Sequence, residues 1–103
     1  MKKLTLDSVP PELLHLIPGF LERREKDVAD LRFFLALGDY VAIKDIGHRL
    51  KGTGTGYGFS MISELGKDLE AAAALEDFLQ VSTCIEQLKV LTGSLKYCLT
   101  SAA

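Results

Sequence analysis

The residues of this chain best suited to chemistry are concentrated in one stretch, Asp45-Ile-Gly-His-Arg-Leu-Lys-Gly-Thr-Gly-Thr-Gly-Tyr-Gly-Phe59. It holds a histidine, His48, a lysine three positions on, Lys51, and a glycine one helical turn on, Gly52. On a helix with Leu50 at the centre of its buried face, Ile43, Ile46, Gly47 and Gly54 fall near the core, whereas His48 lies about 160° away and points to water. Lys44, Lys51, Gly52, Thr55 and Val41 share that outer face. A glycine exposed in mid-helix costs about 1 kcal/mol relative to Ala, so Gly52 suggests a need for room beside the imidazole. A neutral imidazole carries a free lone pair on one ring nitrogen and is a usable nucleophile near neutral pH. Attack on an acyl phosphate would give a phosphoramidate that transfers onward readily, with Lys51 placed to meet the phosphoryl group and no metal required of this chain. A blander reading of the same residues is an exposed polar histidine, a helix stop beginning at Gly52, and a last-turn lysine favoured by the macrodipole.

Other chemistries fail on spacing. The glycines at 52, 54, 56 and 58 contain no Gly-x-Gly-x-x-Gly or Gly-x4-Gly-Lys pattern, and a helix rather than a strand precedes them, which argues against nucleotide binding. His15 and His48 are 33 residues apart, neither has a second histidine at metal-ligand spacing, and no Ser, His and acid set can be assembled. His15 reads as an ordinary residue of a short helix. Cys84 and Cys98 are 14 residues apart on one expected helix, about 21 Å along its axis, too far for a bridge. They fit an apolar seam of Val81, Cys84, Leu88, Leu91, Leu95 and Cys98 as small core residues.

These residues must be positioned by helices. Pro10 or Pro11 to about Leu16 reads as a short helix that Ser8 would cap. Ile17, Phe20, Leu21, Val28, Leu31, Phe34 and Leu35 recur at helical spacing up to a stop at Gly38, with the charge run Glu22 to Asp27 as a solvated face. Asp39 is a ready N-cap for a helix to about Gly54. Ser60 would cap another, with a stripe of Ile62, Leu65, Leu69 and Ala72 ending near Leu75. The cysteine seam runs from about Glu76 to Leu99. No period-two alternation argues for strands. The expectation is an all-α antiparallel up-down four-helix bundle with a short N-terminal lid helix.

Composition sets the wider bounds. The chain has 103 residues, 48% hydrophobic and 25% charged, a globular balance expected to form a single domain over residues 1–103. Twelve Lys and Arg against 14 Asp and Glu leave a net charge of −2 and no basic stripe, so nucleic acid is not an expected partner. The longest apolar runs, Phe33 to Leu37 and Ala71 to Leu75, are far short of the roughly 20 residues that cross a bilayer. Asp7, Pro10, Pro11 and Glu12 interrupt any signal-like segment after Lys2 and Lys3, and a cytoplasmic location is expected.

His48-Arg-Leu-Lys51-Gly52, followed by Gly58, Leu65 and the Leu69-Glu70 pair, resembles the signature of histidine-containing phosphotransfer (HPt) domains, over nearly the whole chain. The resemblance implies His48 as phosphoacceptor, Lys51 as assistant to the phosphoryl group and Gly52 as the space a partner needs. It implies receiver domains of response regulators and a hybrid sensor histidine kinase as partners in a multistep two-component phosphorelay. It also implies no cofactor beyond a divalent metal in the receiver, no ATP-dependent kinase activity, and a monomer. Val41, Lys44 and Thr55, with Leu13 and Leu14 of the lid, are candidate docking contacts. Where the family commonly has Ala, this chain has Gly47, expected to loosen the helix locally, and residues 53–57 are richer in glycine than usual. The alternative is a non-catalytic helical module that docks receiver or kinase domains without accepting phosphate. A homodimer through the last helix would leave His48 without a purpose.

Overall fold

The computed structural model describes residues 9–101, and Ser8, the expected first cap, lies outside them. Every element among the described residues is helical. Pro11–Leu16 forms a 3-10 helix rather than an α-turn, with a proline at its start and no side-chain cap. Four α-helices follow: α1 (Ile17–Leu37), α2 (Tyr40–Gly56), α3 (Ser60–Ala74) and α4 (Phe78–Ser101).

Local chemistry sets the boundaries. Gly38 ends α1 in the left-handed region at φ 69°, where a side chain would be strained. The Asp39 carboxylate accepts from the Ala42 amide at 3.1 Å and caps α2. Ser60 is not a cap: Phe59 holds the N-cap position without a side-chain bond, and Ser60 is the first residue of α3. Phe59 wins because its ring is buried at that corner and stacks obliquely on Phe20, with ring centres 5.4 Å apart, so packing outweighs the capping preference. Asp77 rather than Glu76 opens α4, its carboxylate accepting from the Gln80 amide at 3.1 Å.

The helices bury one continuous core. Among the described residues, α1 packs on α2 and α4, α3 packs on α2 and α4, and the 3-10 helix packs on α1 alone. Ile17, Phe20, Leu31, Ile43, Leu50, Ile62, Leu69, Val81, Leu88 and Leu95 are fully enclosed. Cys84 is buried among them, where burial pushes its thiol up and keeps it protonated, while Cys98 is half-buried; both are free thiols. The charge run in α1 does not form one solvated face. Arg24 and Asp27 are each only 6% exposed and paired at 2.8 Å, because they fall at i+4 and i+7 from Phe20 on the core stripe. The Arg24 guanidinium also lies 4.7 Å from the centre of the Phe20 ring.

Glycines let the backbones of α2 and α3 come into direct contact. A Cβ at Gly47 would lie 2.8 Å from the Glu70 amide nitrogen and 2.9 Å from the Gly66 carbonyl oxygen. One at Gly66 would lie 2.5 Å from the Lys51 amide nitrogen, and one at Gly54 would lie 2.5 Å from that of Ser63. Gly47 therefore lets two backbones touch within a helix that runs unbroken from Tyr40 to Gly56. Gly52 is the opposite case, with nothing within 4 Å of a Cβ built there. Gly66→Ala is expected to destabilise the fold by about 1–3 kcal/mol, since backbone cannot yield as a side-chain end does. Gly52→Ala should instead stabilise it by up to about 1 kcal/mol. Thermal melts of the two variants check the contrast, and equal shifts would contradict it.

Candidate functional site

His48 stands on the outer face of α2 with 68% of its side chain exposed, as the helical wheel predicts. Its Nδ1 lies 3.1 Å from Glu70 Oε2, contributed by α3 across the glycine contact. The other carboxylate oxygen, Glu70 Oε1, accepts from Lys51 Nζ at 3.3 Å. One carboxylate thus joins the histidine and the lysine, with its own side chain only 23% exposed.

The electrostatics decide the protonation pattern. The Lys51 ammonium, hydrogen-bonded to Glu70, is the main influence holding that carboxyl below its usual range; partial burial opposes it, and the bond to His48 adds to it. An ionised carboxylate only accepts hydrogen bonds, so Nδ1 of His48 must be the donor. In the neutral ring the lone pair then resides on Nε2. The carboxylate also favours any positive charge that develops on the ring when Nε2 attacks an electrophile.

A second set of polar contacts fixes the lysine's backbone. The Lys51 carbonyl accepts from Ser63 Oγ at 2.7 Å and from Thr55 Oγ1 at 3.1 Å, and the two hydroxyls lie 3.0 Å apart. Thr55 is exposed, but its hydroxyl is engaged within the protein, tying the last turns of α2 to α3. Val41, 74% exposed, and Lys44 remain open on the outer face of α2. Leu13 is half-buried against the core and Leu14 is exposed, both on the short helix whose packing partner is α1. The structure therefore brings together His48, Lys51 and Glu70 and leaves Gly52 open beside them, while among the described residues the short helix of Leu13 and Leu14 packs on α1 and not on α2 or α3.

Glu70 and Ser63 are the site residues that the sequence did not single out for a role. Glu70 belongs to the Leu69-Glu70 pair, but its function depends on how near α3 comes to α2. The signal was present in Gly47 and Gly66, whose missing side chains set that distance. Among the described residues no group of three or more His, Cys, Asp and Glu is placed to hold a metal ion, and no helix is long and apolar enough to cross a membrane. Compared with known proteins, the chain matches no family model, no curated protein and no solved structure.

The carboxylate bridge predicts a titration. Glu70 should titrate below the usual glutamate range in a carbon-detected NMR titration, and Lys51→Met should move its midpoint up more than His48→Gln does. A group depressed in the folded state lends stability above its unfolded pKa and loses it as pH falls through the folded one, so this contribution disappears only in acid. An ordinary Glu70 midpoint unaffected by Lys51→Met would contradict the bridge.

Proposed function

We propose that this chain is a histidine phosphotransfer protein of the HPt type, carrying a phosphoryl group between His48 and the aspartates of response-regulator receiver domains in a multistep relay fed by a hybrid sensor histidine kinase. The observation that carries this reading is an exposed imidazole whose Nδ1 is held by Glu70, with Lys51 on the same carboxylate. The connections between α1, α2, α3 and α4 are two or three residues long, and each helix packs on its neighbours in sequence while α4 returns to α1. Such short connections favour antiparallel neighbours, so we read the architecture as an up-down four-helix bundle, with the 3-10 helix as a lid at one end.

In the transfer step, Nε2 attacks phosphorus of the receiver's aspartyl phosphate. A nitrogen–phosphorus bond forms, the acyl oxygen–phosphorus bond breaks, and the aspartate leaves as carboxylate. The ring keeps its Nδ1 proton, and Glu70 balances the positive charge that the ring acquires. Lys51 faces the phosphoryl oxygens, and Gly52 leaves the approach clear. The reverse step returns the group to an aspartate. The receiver supplies the divalent metal; this chain needs no cofactor, binds no ATP, and works as a cytoplasmic monomer whose docking surface is small and transient.

Intact-mass measurement after incubation with a small phosphodonor, or with a phosphorylated receiver, tests the proposal. The wild type should gain one acid-labile phosphoryl group from either donor, and His48→Gln from neither while keeping its melting behaviour. Lys51→Ala should slow transfer by about 10- to 100-fold. Gly52→Gln should block transfer from the receiver but spare the small donor, because a long side chain beside the ring excludes only a protein-sized partner. No phosphate on the wild type with any donor would favour a docking module that never accepts phosphate.

A further inference from the structure

Away from His48, a groove of about 470 Å³ runs between α3 and α4. Its apolar lining comes from Met61, Leu65, Val90 and Leu91, and Val90 is 64% exposed. Its α3 edge carries Glu64 and Asp68, both exposed, and no lysine or arginine lines it. A third acid at the groove, Glu86, is already paired with Arg32 of α1 at 2.6 Å. Glu64 and Asp68 make no ion pair among the described residues.

These features select an occupant. Like charges at i and i+4 on one helix edge repel each other, and a cation placed between them relieves that repulsion. The groove is walled by two helices whose backbone groups are satisfied internally, so an extended peptide would find no ladder to join. A helix satisfies its own backbone and can lay an apolar stripe on the floor. Met61 gives that floor an adaptable side chain. We propose that the α3–α4 groove is a second docking surface, and that it takes a basic amphipathic helix of another protein, with leucine-like residues on the floor and lysine or arginine against Glu64 and Asp68. The groove is lined by α3 and α4 alone and His48 is on α2, so the occupant need not compete for the phosphoacceptor face. The surface stands independently of phosphoryl transfer.

The test uses the full chain and three synthetic peptides of about 18 residues: a Leu/Lys helix with one apolar face, the same residues scrambled to remove that face, and a Leu/Glu helix. Binding is measured by fluorescence anisotropy and mapped by amide shifts. The Leu/Lys helix should bind, perturb Met61, Leu65 and Leu91, and weaken as salt rises, while the other two bind at least about tenfold more weakly. Glu64→Lys with Asp68→Lys should lower the affinity about tenfold or more, and Val90→Glu should do so as well; all three positions are exposed, so the fold is retained. Equal binding of the Leu/Glu helix, perturbations that fall elsewhere, no binding, or self-association of the chain through the groove would each overturn the proposal.

Discussion

The contact between the backbones of α2 and α3 is the constraint on which the rest of the structure depends. Three positions without side chains, Gly47, Gly54 and Gly66, bring the helices closer than any Cβ would permit. That spacing determines whether a glutamate on α3 can reach a histidine on α2. Glu70 is a short-stemmed residue compared with lysine or arginine, and a helix pair held apart by alanines would place its carboxylate farther from the ring. The hydroxyls of Ser63 and Thr55 converge on the Lys51 carbonyl and fasten the same interface one turn further on. Packing and polar contacts are therefore joined: the glycines that let α2 and α3 close also set the spacing of His48, Glu70 and Lys51.

The electrostatic arrangement follows from that distance. A carboxylate shared by Lys51 and His48 stays ionised, and an ionised carboxylate leaves only one hydrogen-bonding role for Nδ1. In the neutral ring the lone pair is then on the opposite nitrogen, and the ring itself is mostly in water. Beside this cluster Gly52 leaves open space, and Val41 and Lys44 are exposed on the same helix. The acidic α3–α4 groove is lined by other residues, none of them on α2.

Much of this was legible in the sequence. The apolar stripes place α1 to α4, Gly38 and Asp39 mark the first corner, and the turn of 100° per residue puts His48 outside and Gly47 and Gly54 inside. Less legible was anything set by contacts between elements. Ser60 has the chemistry of a cap, but the burial of Phe59 takes the position. Arg24 and Asp27 look like solvated charges until both are seen to share the stripe of Phe20. Thr55 is an outer-face candidate docking contact by its spacing, whereas its hydroxyl bonds to the Lys51 carbonyl and meets Ser63 Oγ of α3. Gly47 falls on the inner face by its spacing, but only the position of α3 shows that its missing side chain lets two backbones touch. Glu70 is the clearest case: its residue type was on view, but its role is defined by a distance to another helix.

The most direct measurement is the chemistry of the ring after it has accepted phosphate. The protein, labelled with nitrogen-15 in histidine and treated with a small phosphodonor, is read by phosphorus and nitrogen NMR. The account predicts one phosphoryl group on Nε2 of His48, with Nδ1 still protonated and bonded to Glu70. A phosphoryl group on Nδ1, or on no nitrogen of His48, would contradict it.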